Sequence, residues 1–293
     1  MATLRELKGR IGSVASSEKI TGAMKMISSA KMHKAEQSLK KLLPYRHQVE
    51  TIIGNLLSAD TQFSSPLLEI KDINRIGVVV LGSDDGLCGA YNVNILKQLI
   101  VQLQSYKSTY GENIIIDIYP VGAKMSKAVS KITGGNINML QLDGVDSKAS
   151  GDAVKIFASM LQQRFIDGEL DKVDFVYMSF KSVSRQRLEI QQMLPIEQSA
   201  LDLNSTQNSR PYLFEPDANK IFTSILPLYL LSMVQEIFTE NRASEQAARV
   251  MAMQSANDNA QKLLEQLRLE YNKLRQQSIT NELLDIVGGQ IKH

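Results

Sequence analysis

Near the C-terminus the chain reads Ala260-Gln-Lys-Leu-Leu-Glu-Gln-Leu-Arg-Leu-Glu-Tyr-Asn-Lys-Leu274. Small or apolar residues recur in it every three or four positions, the spacing of a coiled-coil seam: Ala260, Leu263, Leu267, Tyr271 and Leu274. Nothing interrupts the helical pattern from about residue 226 to 287, so it predicts a helix about 90 Å long. A helix of that length projects from any globular domain this chain could form, and its apolar stripe needs a partner.

The N-terminal segment, residues 1–57, has the other long helical pattern. Thr3-Leu-Arg-Glu6 fits a capping box, and apolar residues then follow one face: Leu4, Leu7, Ile11 and Val14, continued by Ile20, Met24 and Ile27. Pro44 predicts a bend or break, because proline cannot donate a hydrogen bond to residue 40. We expect the terminal helices to pair antiparallel, approaching closely along the small residues Ala248, Ala252, Ala256 and Ala260.

Residues 70–196 have a different pattern, in which short β-branched runs alternate with amphipathic helices. Arg75–Ser83 is typical of a buried strand that ends in a turn, and the alternation after it predicts a mostly parallel sheet. The last two strands, 173–180 and 188–194, are too close for a helix between them, so they predict an antiparallel hairpin. The fold class is therefore α/β, a long coiled coil of N- and C-terminal helices with an inserted Rossmann-like domain.

The rest of the chain completes this layout. Residues 197–216 are polar and proline-containing, which predicts a linker, and residues 217–293 form the C-terminal coiled-coil segment. Within it, Pro227 predicts a boundary between a short and a long helix, and Gly288-Gly289 predicts the helix end.

Composition excludes several classes of protein. The 33 basic and 31 acidic residues nearly balance, which argues against a dedicated nucleic-acid coat. One cysteine and three scattered histidines exclude a disulfide framework and disfavour a metal centre. The longest uncharged run, 221–235, is too short to span a bilayer, and no N-terminal signal is evident. We therefore expect a soluble, cytoplasmic and reduced chain. We also expect no bound cofactor, because no P-loop or Gly-x-Gly-x-x-Gly motif follows a strand.

Three features leave alternatives open. Ser83-Asp-Asp-Gly-Leu-Cys-Gly89 follows the first predicted strand, where a phosphate or metal site is possible, although a structural turn is favoured. Cys88 has no histidine partner nearby in sequence and is interpreted as a small buried residue rather than a nucleophile. Six lysines and one glutamate between residues 19 and 41 indicate either a solvated basic face or a surface for an acidic partner. No aromatic residues accompany them to stack on bases, so nucleic acid is disfavoured.

Several motifs together resemble the γ subunit of F-type ATP synthases. They occur in the family's order along nearly the whole chain: 19–34 (KITGAMKMISSAKMHK), 86–89 (GLCG), 212–217 (YLFEPD), 243–253 (ASEQAARVMAM), 258–260 (DNA), 271–283 (YNKLRQQSITNEL) and Gly288-Gly289. The absence of a paired-cysteine insert and of a transit peptide favours a bacterial member.

The resemblance implies a non-catalytic rotor inside a hexamer of α and β subunits, with the inserted domain beside the ε subunit on the membrane ring of c subunits. It implies no catalytic, cofactor-binding or metal-binding residue in this chain. Contacts with the head are implied for Met24, Lys25, Arg249, Arg275, Gln276 and Thr280. Contacts with the c-ring and ε are implied for Tyr212, Phe214 and Glu215. From the residues alone, Met24 could instead be seam core and Arg249 could only make the helix soluble.

Two other functions remain possible from the residues alone. One is an α/β enzyme that dimerises through its helical arms, which depends on the turn at 83–89. The other is a coiled-coil scaffold with no motor. The resemblance places the complex at the cytoplasmic face of the bacterial inner membrane.

Overall fold

Two very long helices flank a sheet domain in the sequence and pair with each other in space. The computed structural model describes residues 3–57, 63–142, 144–197, 214–215 and 217–290, with only the backbone for 287–290. Helix α1 is Leu4–Leu57 and helix α5 is Ala218–Gln290. Thr21 contacts Asn257 and Arg46 pairs with Glu236, so residue numbers rise along α1 as they fall along α5. The predicted antiparallel pairing is confirmed.

The inserted domain is a five-stranded sheet with three further helices. Its elements are β1 (Arg75–Leu81), α2 (Tyr91–Tyr110), β2 (Ile115–Val121), α3 (Ala123–Val129), β3 (Ile137–Met139), α4 (Asp152–Ile166), β4 (Lys172–Ser182) and β5 (Arg185–Leu194). The strand order is β3-β2-β1-β4-β5. The first four strands are parallel, whereas β5 is antiparallel to β4, which confirms the predicted hairpin.

Hydrophobic cores cover both faces of the sheet. On one face, Val78 and Val80 of β1 pack with α2 and α3. On the other face, Val79 and Leu81 join α4 and the base of the coiled coil, where Phe222 of α5 is fully buried. Because the bases of both long helices belong to this second core, the coiled coil is anchored in the domain rather than joined to it by a tether.

Helix α1 continues through Pro44, so the predicted break there is wrong. A proline inside a helix costs about 3 kcal/mol, mainly through one lost hydrogen bond and a clash with the preceding turn. Pro44 is exposed, which leaves the carbonyl of Lys40 open to water. Leu42 and Arg46 on either side of it face inward, and Arg46 pairs with α5. These tertiary contacts hold the helix on both sides of the proline.

The two boundaries predicted inside the C-terminal segment are also wrong. Helix α5 continues through Pro227, because Leu226 and Leu230 are fully buried and fix the helix on both sides of the proline. The helix also continues through Gly288-Gly289 to Gln290. A glycine lowers helix propensity by about 1 kcal/mol, which is too little by itself to end a helix that is already formed.

Among the described residues, α5 is the one helix whose length and composition would suit a membrane span. Half of its most apolar 18-residue window is buried inside the chain. That window draws on the start of the helix, where residues such as Leu226, Leu230 and Val234 are buried in the core beside α4. The apolar residues at the start of α5 therefore serve the core of the domain, which explains the high hydropathy of that window.

Candidate functional site: the coiled coil and its junction with the sheet

The inward face of α1 follows a strict heptad pattern along its whole length. Buried or half-buried positions alternate at spacings of three and four: Leu4, Leu7, Ile11, Val14, Glu18, Thr21, Lys25, Ser28, Met32, Ala35, Leu39, Leu42, Arg46, Val49, Ile53 and Leu56. A period of 3.5 residues keeps one seam facing the partner helix in a left-handed coiled coil. The stripe predicted from Leu4 to Val14 is therefore confirmed.

The middle of this seam is polar, which corrects the predicted continuation through Ile20, Met24 and Ile27. Ile20 and Ile27 are more than half exposed and point away from α5. The seam there contains Glu18, which accepts a hydrogen bond from Gln261 Nε2 at 3.2 Å. Counted from Leu4 with a period of 3.5 residues, the inward positions in this region are the polar residues Glu18, Thr21 and Lys25. The exposed isoleucines therefore lie on a different face of α1.

The seam of α5 uses Leu264 where the sequence pattern placed Leu263. Leu264 is 8% exposed, whereas Leu263 is 41% exposed. The inward positions recur at spacings of four and three: Met253, Asn257, Ala260, Leu264, Leu267, Tyr271, Leu274 and Ser278. The other four predicted seam positions are inward, so one residue of the adjacent leucine pair was misassigned.

The row of alanines on α5 borders the sheet domain, and Ala260 is the one of its four members among the inward positions of the seam, so the predicted close approach of α1 along the whole row is wrong. Ala248 packs against the core between the sheet and α2. A Cβ built on Gly89 would lie 3.7 Å from Cβ of Ala252. Small side chains therefore let the turn at 83–89 approach the side of α5.

That turn is held by an internal network of hydrogen bonds. The Ser83 backbone N–H donates to Asn92 Oδ1 at 3.0 Å, and Asn92 Nδ2 donates to Ser83 Oγ at 2.7 Å. Asp84 accepts from the Ala123 N–H at 3.0 Å and from Ser147 Oγ at 2.7 Å. Cys88 is buried beside this network, as the sequence interpretation expected. Across the described parts of the chain, no cluster of three or more metal-ligating side chains is found.

Helix α5 fills the crevice where open α/β sheets commonly bind ligands. Such a crevice lies beyond the carboxyl ends of the strands where the strand order reverses, which here is between β1 and β4. Asn241 of α5 occupies that position. Its Nδ2 donates to the carbonyl of Gly82 at 3.4 Å, and its Oδ1 accepts from Tyr91 Oη at 2.7 Å and from the Met178 N–H at 3.4 Å. Burial raises the pKa of Tyr91 well above its usual value, so its hydroxyl remains a donor.

Arg249 binds the turn from the same helix. Its guanidinium pairs with Glu245 at 2.8 Å and donates to the carbonyls of Gly86 and Asp85 at 3.2 and 3.3 Å. Burial raises the pKa of Glu245, and the neighbouring Arg249 opposes that shift. Arg249 is 6% exposed, so it does not serve merely to make the helix soluble. Its contact with a partner subunit stays a prediction.

The other residues with implied roles occupy three separate regions. Met24 and Lys25 are half-buried, Lys25 as an inward position in the polar part of the seam and Met24 next to it. Arg275, Gln276 and Thr280 are exposed near the far end of α5. Phe214 packs against the core at the base of the coiled coil, Glu215 is exposed, and Tyr212 lies outside the described residues.

Sequence reasoning missed Asn241, Tyr91 and Glu245. Tyr91 and Asn241 are 150 residues apart in sequence, and no local motif links them. A polar triplet in an otherwise apolar part of a long helix, Thr239 to Asn241, was the available signal for a buried polar contact.

A long antiparallel coiled coil anchored in an α/β domain, with its own helix filling the domain's ligand crevice, defines a class of rod-bearing α/β proteins. The ATP synthase family model matches residues 3–291. The chain is 39% identical to the ATP synthase gamma chain of Bacteroides fragilis over 293 residues, covering 99% of this chain and all of the relative. It is 36% identical to that of Haemophilus influenzae over 291 residues, covering 99% of each. The chain belongs to the ATP synthase gamma-chain family.

Solved structures share the fold at lower sequence identity. A chain of the Euglena gracilis mitochondrial ATP synthase, in a rotational state 3 structure, matches with a TM-score of 0.64 and 20% identity. The match covers 98% of this chain and 93% of the other. A chain from the central stalk and c-ring of the Tetrahymena thermophila enzyme matches with a TM-score of 0.56 and 23% identity, covering 81% and 99%.

Proposed function

We propose that this chain is the central rotating shaft of a bacterial F-type ATP synthase. It transmits torque between the membrane ring of c subunits and the catalytic head of α and β subunits, and catalysis takes place in the head. The observation that carries the proposal is the continuous antiparallel coiled coil, in which α1 alone is about 80 Å long, anchored in a domain at one end. A rod fixed at its base can carry a twist applied there to a distant point.

The free part of the coiled coil has the surface expected of a shaft inside a protein head. Ile20, Met26 and Ile27 of α1 are exposed in the isolated chain. Large apolar side chains grouped at a surface favour contact with another protein. Lys25 lies between these three residues, and Lys19 and Lys31 flank them on the same helix. We assign contact with the β subunits to Met24 and Lys25, where a basic surface suits acidic loops of the head.

The far end of α5 is the second contact region for the head. Arg275, Gln276 and Thr280 are exposed there, close to the exposed Leu283 and Leu284. Polar groups beside apolar ones suit a surface that turns within a closely fitting sleeve. We also assign contact with the head to Arg249, which lies against the turn at 83–89 and binds the carbonyls of Gly86 and Asp85.

The base of the shaft belongs to the membrane side of the complex. We assign contact with the c-ring and the ε subunit to the segment of Tyr212, Phe214 and Glu215. Ion flow turns the ring, the shaft turns with it, and each β subunit passes through states of different nucleotide affinity. The complex is peripheral at the cytoplasmic face of the inner membrane, and proton flow is the coupled reaction.

The enzyme alternative has lost its supporting feature. It depended on the turn at 83–89, whose polar groups bind within the chain and whose adjacent crevice contains Asn241. The scaffold alternative differs from the shaft in one measurable property, which is the coupling of ATP hydrolysis to ion movement.

The test uses an affinity-tagged full-length chain expressed with the rest of its complex. Co-purification with α and β subunits, and ATP-driven acidification of membrane vesicles that is lost when this chain is omitted, are expected. If the chain co-purifies with α and β subunits but vesicle acidification is unchanged when the chain is omitted, the result would contradict the shaft and favour the scaffold. Nucleotide hydrolysis by the purified chain alone would favour the enzyme.

A further inference from the structure

A cavity of about 200 Å³ lies where the two long helices meet the sheet domain. Its walls come from α1, the turn after β1, the loop before α4 and the middle of α5. Pockets for drug-sized ligands have volumes of roughly 300–1,000 Å³, so this cavity suits a small ion rather than a whole cofactor.

Four cationic side chains converge on this cavity from three parts of the fold: Lys31, Lys34, Lys148 and Arg242. Within the described residues, neither Lys31 nor Lys34 has an ion-pair partner. The ammonium of Lys148 is 3.8 Å from the carboxylate of Asp85, whose side chain is mostly exposed to water. The lysines are therefore available to a ligand.

Arg242 provides a buried donor that the chain leaves unused. Its Nη2 donates to the carbonyl of Ala149 at 2.8 Å, while its buried Nε has no hydrogen-bond partner among the described atoms. Burial lowers the pKa of Arg242, but arginine remains protonated in proteins. A buried charged donor without an acceptor is costly, and the guanidinium that carries it belongs to a residue lining the cavity.

The acidic side chains around the cavity do not cancel this charge. Glu245 is the buried carboxylate of the lining, and Arg249 already pairs with it at 2.8 Å. Asp85 is exposed, so water screens its charge. The four cationic side chains of the lining therefore outnumber its two carboxylates, although Asp146, outside the lining, also acts on Arg242.

We infer that the cavity binds a small phosphate-type oxyanion: phosphate, diphosphate or the terminal phosphates of a nucleotide. A multiply charged tetrahedral anion can accept hydrogen bonds from several directions at once. This suits donors on different sides of one cavity, such as the lysines of α1, Lys148 and Arg242. The bound anion would connect α1, the loop before α4 and α5. Such a site goes beyond torque transmission, because it would let a soluble metabolite stiffen the joint between coiled coil and domain.

The test is isothermal titration calorimetry of the isolated full-length chain with potassium phosphate, potassium diphosphate and ATP, at constant ionic strength. One saturable site is expected, together with a rise in the thermal unfolding temperature, because the anion binds the folded chain. The double variant Lys31→Gln, Lys34→Gln and the single variant Lys148→Gln should each bind about tenfold or more weakly. The matched control Lys8→Gln, Lys19→Gln removes two exposed lysines from α1 far from the cavity and should bind normally.

The three ligands distinguish the sources of the phosphate group. Tighter binding of phosphate or diphosphate than of ATP assigns the site to a free oxyanion, and tighter binding of ATP assigns it to a nucleotide. Absence of saturation below about 10 mM of every ligand would overturn the inference. Equal weakening by the control variant would also overturn it. Loss of binding in the assembled complex would overturn it as well, because an acidic side chain of a partner would then occupy the cavity.

Discussion

Replacing Glu240 by glutamine tests how the chain holds a carboxylate against its sheet. Glu240 is on α5 and is 9% exposed. Burial raises its pKa most, the nearby carboxylates Glu236 and Glu189 also raise it, and Ser179 and Lys181 partly oppose them, which together gives a pKa of about 7. Protonation therefore favours the folded chain.

The effect on stability follows from the difference between the folded and unfolded pKa. The folded value is about 7 and the ordinary value is 4.5. At about 1.4 kcal/mol per tenfold difference in proton affinity, this corresponds to about 3 kcal/mol. That stabilisation is fully present below about pH 4.5 and is lost as the pH rises through about 7. Glu240→Gln mimics the protonated group, so it should stabilise the chain at pH 8 by up to about 3 kcal/mol and have little effect near pH 4.5.

The assay is thermal or urea unfolding of both proteins from pH 4.5 to 8. For a chain of this size, the expected gain at pH 8 is a rise of about 5–10 °C in the unfolding midpoint. Glu270→Gln, an exposed change on the same helix, should have no effect at any pH. Glu236→Gln should instead destabilise the chain at pH 8, because it removes one of the two carboxylates that pair with Arg46 and leaves only Glu50. A pH-independent difference between Glu240→Gln and the natural chain would refute the reasoning.

Three further predictions concern the seam, the junction and the coupling. Leu264→Asp should lower the free energy of unfolding by at least about 3 kcal/mol, because Leu264 is buried in the seam. The same change at the exposed Leu263 should alter it by no more than about 0.5 kcal/mol. Equal effects of the two changes in urea titrations would contradict the assigned seam. Arg249→Gln leaves Glu245 buried without its ion pair, so we expect a loss of about 3–5 kcal/mol in the same titrations, and an unchanged midpoint would show that the pair is dispensable. Met24→Lys adds a cation to the segment that we propose faces the β subunits, and an extra ion pair of about 0.2–1 kcal/mol at some rotor angles should make rotation uneven. The ratio of vesicle acidification to ATP hydrolysis should then fall, and an unchanged ratio would remove this segment from the torque contact.

The sequence was most informative where one local rule was enough. Alternating strands and helices predicted the sheet domain and its hairpin, because burial on both faces dictates composition. Leu263 and Leu264 are adjacent, and both fit a helical spacing to Leu267. Only the position of α1 determines which of them is inward, and a single-helix pattern does not contain that information. Pro44 shows the opposite case, in which a correct local penalty was outweighed by contacts 190 residues away in sequence.

The site was harder to predict because its residues act through distant partners. Asn241 has no signature in its own neighbourhood, and its role depends on Gly82, Tyr91 and Met178, which come from three other elements. The polar seam around Glu18 and Thr21 was missed because a search for apolar periodicity cannot follow a seam through polar residues.

The junction explains how an α/β fold can serve as the base of a rod. In many doubly wound sheets the crevice beyond the strands binds a ligand that must enter and leave. Here the same crevice holds Asn241, on a helix whose neighbouring residues are packed into the core. Arg249 extends the attachment by two turns to the carbonyls of the 83–89 turn. Torque applied to the domain therefore reaches α5 through hydrogen bonds and packing at several levels, rather than through one flexible connection. Because polar contacts at Glu18 and Thr21 replace apolar packing farther along the coiled coil, twisting strain should concentrate in that segment and not at the junction.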